Sequence, residues 1–352
     1  MSRRRLLRIL PWVIGVFLVA WMVRSVSLAS VVDTLRQLQW WQLVVLIILN
    51  LIVLVTICGR WWVLLAGEGY RLPFRQVFGY RMAVFGVSYF TPGPHMGGEP
   101  LQILLVEKGN GVPRSTALAA VALDKTIEFS MSLALLLLGV GAALQWRIVP
   151  EESGRQAMGV VAGMLLIPFL YLGATAFGFY PLARLSQPLA NWRALARWQY
   201  RLQAATVALA AGEQRVGDYY RRAPRAFALA VLVSLLGWVV IILEYWLMIR
   251  FLGVQMSLPQ LVTSLTAARL SGFLLLPAGL GALEFSQTFS FGLLGLDPAV
   301  GLSASLLIRA RDSIVGALGL WWGSRHISGW AGGKVAEEPL ESEIGADRSP
   351  PA

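Results

Sequence analysis

An all-α integral membrane protein is the fold class that this sequence predicts, and three observations predict it. Charged residues make up 14% of the 352 positions, where a soluble domain carries about 25%. Apolar residue types make up 57%, and mean hydropathy is +0.64. The apolar residues gather into segments close to the ~20 residues that a helix needs to cross a bilayer. This balance excludes a soluble two-domain enzyme, a disordered chain and a collagen-like chain. A single cysteine, Cys58, excludes a disulfide framework. With only two histidines, His95 and His326, neither a His-based metal centre nor any other cofactor is expected.

The first apolar segment, 9–23, follows Arg3, Arg4, Arg5 and Arg8. Ser27-Leu28-Ala29 resembles a signal-peptide cleavage site, but Arg24 interrupts that region, so an uncleaved span is expected. Further spans are expected at 41–57, 117–144, 158–179, 227–249 and 302–322. Two apolar segments are shorter. The segment 77–90 is stopped by Thr91-Pro92-Gly93-Pro94, and 261–276 is interrupted by Arg269 and Gly272 and stopped by Pro277. Helix-stopping residues at these ends predict broken or re-entrant helices. The total is six transmembrane helices if both short segments return to the side they entered, and up to eight if they cross.

The net charge is +11, from 27 Arg and 3 Lys against 19 acids. No soluble basic domain is visible, so the excess is assigned to cytoplasmic loops and anionic lipid, and no nucleic-acid partner is expected. Residues 181–225 hold eight Arg against Glu213 and Asp218 and are expected in the cytoplasm. The N-terminal arginines and the stretch with Arg60, Arg71, Arg75 and Arg81 are placed there too. Both termini then face the cytoplasm, in a plasma membrane of the bacterial inner-membrane type. Arg193, Arg197 and Arg201 recur every four residues, with Leu195, Trp198 and Leu202 on another face. That pattern predicts an amphipathic helix beneath anionic headgroups at 193–201, with a solvated linker as the alternative. The tail at 331–352 carries Glu337, Glu338, Glu341, Glu343 and Asp347 and is expected to be disordered. Residues 1–330 form one membrane domain with halves at about 41–145 and 227–323 and the linker 181–225 between them.

These halves contain a repeat. Pro92, Glu99 and Pro113 match Pro277, Glu284 and Pro298 at an offset of 185. Three crossings separate the halves in the six-span arrangement, so the repeat is expected to be inverted, as in transporters with broken helices at mid-membrane.

Charges inside the apolar segments are the candidate functional residues. Asp124, Lys125 and Glu128 lie within 117–144. Each ionised group at a helix centre costs roughly 2.5–3.5 kcal/mol on insertion scales, so partners or water are required. The alternative is that they sit near the helix start and reach the headgroups. In the last span Arg309 and Asp312 have pairing distance along a helix, and Arg311 is expected to point away and snorkel. Glu244 is a lone acid in its span. Arg269 is suited either to attract phosphate or to pair with Glu244 or Glu284. In the stretch 90–99, glycines permit close backbone approach, Glu99 opens a second short helix, and His95 is expected to be a loop residue.

These motifs resemble the lysylphosphatidylglycerol synthase transmembrane-region family of flippase-like membrane proteins. The resemblance is carried by Thr91-Pro92-Gly93 with Gly98-Glu99, by Asp124-Lys125-x-x-Glu128, by Pro277-Ala-Gly279-Leu-Gly281-Ala-Leu-Glu284, and by Arg309. It spans about 60–323. Gln102 stands where the family pattern has Arg, and Lys125 replaces another Arg, keeping the charge without the bidentate geometry. The resemblance implies a stand-alone member without the soluble aminoacyl-transfer domain. It implies a lipid transporter, not an enzyme, that handles a phospholipid, an isoprenoid-linked lipid or a hopanoid-type lipid. Pro92, Gly93, Gly98, Glu99, Asp124, Lys125, Glu128, Arg269, Gly279, Glu284 and Arg309 would line a polar midplane cavity. The alternatives are a membrane-embedded lipid transferase using Asp124 and Glu128 as acid and base, and a scaffold dependent on a partner such as a lipid-modifying enzyme.

Overall fold

The structure, a computed structural model, describes residues 28–90, 97–147, 150–190, 199–272 and 281–331. Twelve helices and no strand occur among them. In order they are α1 (Leu28–Arg36), α2 (Trp40–Gly67), α3 (Phe74–Phe90), α4 (Glu99–Asn110), α5 (Arg114–Gln145), α6 (Glu151–Ala176), α7 (Pro181–Ala190), α8 (Gln199–Arg222), α9 (Pro224–Phe251), α10 (Leu258–Ser271), α11 (Ala282–Leu293) and α12 (Pro298–Ala331). The first expected span, the loop 91–96, the segment 273–280 and the C-terminal tail lie outside the described residues.

Four helices, α2, α5, α6 and α9, are long and apolar enough to cross a membrane. Their outer faces expose large apolar side chains, among them Trp40, Ile47 and Leu51 on α2, Ile167 and Leu170 on α6, and Leu236 and Val239 on α9. Such a surface is unfavourable in water and matches a hydrocarbon environment. The protein is therefore an all-α, multi-pass membrane protein. The last expected span forms as α12, which has 34 residues and carries Arg309, Arg311 and Asp312 in its middle. The two shorter apolar segments form α3 and α10, with 17 and 14 residues.

The described part of the linker 181–225 packs against neighbouring helices. Its α8 packs against α5, α6 and α7, with Val216 and Tyr219 fully buried. Tyr219 Oη donates to the Leu64 carbonyl at 3.1 Å. The Glu213 carboxylate accepts from the backbone N–H groups of Leu182 and Ala183, both at 2.9 Å, which satisfies donors that a helix start leaves unpaired. These contacts make the linker part of the bundle. Arg193, Arg197 and the side chain of Arg201 lie outside the described residues.

The helix order recurs. Trp40 and Pro224, Phe74 and Leu258, and Arg114 and Pro298 open equivalent helices at a constant spacing of 184 residues. The packing of the two sets is crossed. The equivalent helices α2 and α9 pack on each other, α3 packs on α12, and α10 packs on α5. Each set lends its short second helix to the long last helix of the other. Gly139 on α5 permits one of these crossings, because a Cβ there would collide with Thr266 of α10. Two of the apolar cores reflect this crossing. Trp61, Val77, Leu105 and Ala117 centre the first, which includes Trp322 of α12. Ile249, Leu261, Phe291 and Val300 centre the second, which includes Leu135 of α5.

Candidate functional site

The charges expected inside apolar segments are gathered into two ion clusters, one per half. In the first, Asp124 on α5 is fully buried and receives two guanidinium groups. Arg60 of α2 approaches its Oδ1 at 2.6 Å, and Arg81 of α3 its Oδ2 at 2.9 Å. The same arginines reach Glu128 Oε2 at 3.2 and 3.5 Å. Lys125 Nζ bridges Glu128 at 3.3 Å and Glu99 of α4 at 3.1 Å. Arg81 also donates to Gln102 Oε1 at 3.0 Å, and Arg60 to Ser234 Oγ of α9 at 3.2 Å. Ala117, Ala119 and Ala120, within two turns of Asp124 on α5, are buried without any exposed area. Three cations and three carboxylates balance, which is the condition for keeping them in a low-dielectric interior.

Gly98 sets the position of Glu99. It is buried, its N–H donates to Ser88 Oγ at 3.0 Å, and a Cβ there would lie 2.5 Å from the Val84 carbonyl oxygen. Its φ of −94° is open to any residue, so close approach of α4 to α3 is what requires glycine. Pro92, Gly93, His95 and Gly279 lie outside the described residues.

The second cluster repeats the first with altered partners. Glu284 of α11 holds Arg309 of α12 at 2.5 and 2.7 Å, the counterpart of Glu99 with Lys125. Arg311 of α12 binds Glu244 of α9 at 2.6 Å and Asp312 at 2.9 Å. Glu244 occupies the α9 position that Arg60 occupies on α2, so the charge is reversed there. Gln287 is the counterpart of Gln102 and is equally buried; it accepts from Tyr245 Oη at 2.5 Å. Arg269 of α10 lies with its guanidinium 4.9 Å from the centre of the Trp238 ring.

Several expectations are corrected here. Arg309 pairs with Glu284 across helices, and Asp312 pairs with Arg311, because α11 packs against α12 and presents a better-placed carboxylate than the one a turn away. Arg311 does not point away to snorkel, since Glu244 draws it inward. Neither Glu244 nor Glu284 partners Arg269. Asp124 and its neighbours do not reach for headgroups, because two buried guanidiniums neutralise the carboxylate in place. Arg60 and Arg81 are core residues, not loop arginines, and were missed as site residues. The available signal was their setting: Arg60 is followed by Trp61-Trp62-Val63-Leu64, and Arg81 is flanked by Tyr80 and Met82.

Both clusters face one cavity of about 380 Å³. Arg81, Lys125 and Glu128 line it from the first half, and Glu244, Arg269, Arg309, Arg311 and Asp312 from the second. Phe85, Tyr89, Phe129 and Ile241 supply apolar wall. Asp124, Glu99 and Glu284, expected to line the cavity, are not among these wall residues and instead hold Arg81, Lys125 and Arg309 from behind. A chamber of this size with a few convergent charges on an apolar wall is suited to the polar part of a small amphiphile. Among the described residues, no group of three or more His, Cys, Asp or Glu is placed to hold a metal ion.

The comparisons with known proteins agree with this architecture. A UPF0104 membrane protein of Methanothermobacter thermautotrophicus is 21% identical over 305 residues, 84% of this chain and 88% of the relative. A UPF0104 membrane protein of Methanocaldococcus jannaschii is 20% identical over 282 residues, 76% of this chain and 79% of the relative. No solved structure matches. The family described as lysylphosphatidylglycerol synthase TM region matches residues 8–319, and the chain belongs to that family.

Proposed function

We propose that this protein moves a polar lipid between the leaflets of its membrane, taking the headgroup into the shared cavity while the acyl chains remain in the bilayer. One observation carries the reading: a single chamber lined by charges from both repeated halves, inside helices whose outer faces are apolar. In this reading α3 with α4, and α10 with α11, are re-entrant pairs, and the halves are inverted with respect to each other. The membrane is the plasma membrane and both termini are cytoplasmic. Anionic lipid engages the arginines at 193–201, and a lipid-modifying enzyme is the natural partner to supply the substrate. A transferase reading is weakened because Asp124 and Glu128, its acid and base, are engaged by Arg60, Arg81 and Lys125.

The test is a scrambling assay in proteoliposomes with fluorescent phospholipids. The parent protein should equilibrate label between leaflets. Glu99→Gln and Glu284→Gln should each abolish movement while the protein still inserts and purifies. Full activity in both variants would sink the site assignment, and an inactive parent across phospholipid and isoprenoid-linked substrates would sink the transport reading.

A further inference from the structure

We infer that Arg269 is the cavity's anchor for a phosphate group, so that the headgroup taken up is an anionic phosphate ester. The inference rests on the lipid-handling reading and adds the chemistry of its substrate. The charged side chains on the cavity wall are Arg81, Lys125, Arg269, Arg309 and Arg311 against Glu128, Glu244 and Asp312. Asp124, Glu99 and Glu284 balance this wall charge from behind, so what marks a place for an anion is how each cation is partnered. Four of the five cations are already held at 3.5 Å or less by a carboxylate. Arg269 is different: among the described residues no carboxylate lies within ion-pair distance of it, and its recorded contact is the Trp238 ring face.

That contact matters chemically. A guanidinium resting on an indole face is held by its π surface, while its N–H donors point outward in the plane. Among the described residues no carboxylate within ion-pair distance engages that fork. Phosphate oxygens match its bidentate geometry. The nearby acids that could compete, Glu244 and Asp312, both bind Arg311. Arg269 also lies near the end of α10, beside Ser271 and Gly272, which line the same cavity. A headgroup entering there meets a pre-oriented cation whose charge its own phosphate would neutralise.

The experiment measures binding and not transport, so that it stands apart from the scrambling assay. The full chain in detergent is titrated with dihexanoyl phosphatidylglycerol, with dihexanoylglycerol as the uncharged probe and inorganic phosphate as the soluble one. The phosphatidylglycerol probe should bind, the uncharged probe should bind about tenfold more weakly or worse, and Arg269→Gln should remove that difference at an unchanged thermal midpoint. Arg269→Lys should retain part of the preference, because it keeps the charge and loses the fork. Should Arg269→Gln not purify folded, Arg269→Lys decides: affinity equal to the parent overturns the proposal. Equal binding of the charged and uncharged probes by the parent also overturns it, as does a folded Arg269→Gln with parental preference. Inorganic phosphate binding as tightly as the lipid probe, and lost in Arg269→Gln, would keep the anchor and overturn the lipid as its source.

Discussion

The two ion clusters have equivalent helices, equal numbers of acids and bases, and different designs. In the first half, Asp124 is fully buried and takes one guanidinium on each oxygen, with Arg60 and Arg81 side chains only 4% and 8% exposed. In the second, Arg311 is 31% and Asp312 25% exposed, and Arg269 faces an aromatic ring. The first cluster is knotted on the buried Asp124, which ties α2, α3 and α5 together. Both present charges to the chamber, the first through Arg81, Lys125 and Glu128 and the second through Glu244, Arg309, Arg311 and Asp312. One helix arrangement therefore carries two ion clusters that differ in how their carboxylates are partnered. The reversed charge at Arg60 and Glu244 is the clearest mark of that difference.

The comparison can be broken most forcefully at Asp124. Asp124→Asn leaves two buried guanidiniums short of their counter-charge and should destabilise the protein by about 3–5 kcal/mol, read as a fall in thermal midpoint in detergent. Glu284→Gln, which removes the counter-charge of one guanidinium instead of two, should cost about 1–3 kcal/mol, the range for leaving a buried hydrogen-bonding group unsatisfied. The reverse ranking would mean that the second cluster is the structural one. A finer probe exchanges the equivalent cations. Arg309→Lys gives up the two-pronged contact with Glu284 and should lose about 1 kcal/mol. Lys125→Arg, which makes the first half resemble the second, should leave thermal stability and transport near parental levels. The smallest effect is expected far from either cluster, at the exposed pair Arg155 and Glu151, both 75% exposed. Arg155→Gln there should not move the unfolding midpoint measurably.

What could be read from residues alone divides along physical lines. The spans at α2, α5, α6 and α9 were legible because insertion into hydrocarbon depends on local composition. The repeat was legible from Pro92, Glu99 and Pro113, since helix stops and buried acids are rare enough to align. That Asp124 and Glu128 needed partners followed from desolvation. Which partners they have did not, because Arg60 is 64 residues away from Asp124 and contacts across helices leave no periodic trace. The positive-inside argument treated Arg60 and Arg81 as loop markers, since it counts arginines and ignores what flanks them. For Arg309 and Asp312 a local rule was overridden by tertiary packing, as Glu284 arrives from a neighbouring helix. The packing of α8 was hidden for a similar reason: the arginines of 181–225 mark its charge, while Val216 and Tyr219, which seat α8 in the bundle, leave no periodic signal.

The crossed packing has a consequence for how the chain is made. The ribosome releases α3 well before α12 exists, and α5 before α10. During most of synthesis the inner faces of the first set meet lipid or the insertion machinery, with contacts such as Tyr89 to Ser313 and Tyr80 to Trp322 still unformed. The ion pairs of the first cluster all lie within α2 to α5, so their residues are present once α5 has been made. Arrival of α12 is then the closing event of biogenesis, when both sets acquire their covers together. A chain stalled before Pro298 would leave α3 uncovered and the chamber without Arg309, Arg311 and Asp312, and quality control would meet a half-built bundle that already holds its four most apolar helices.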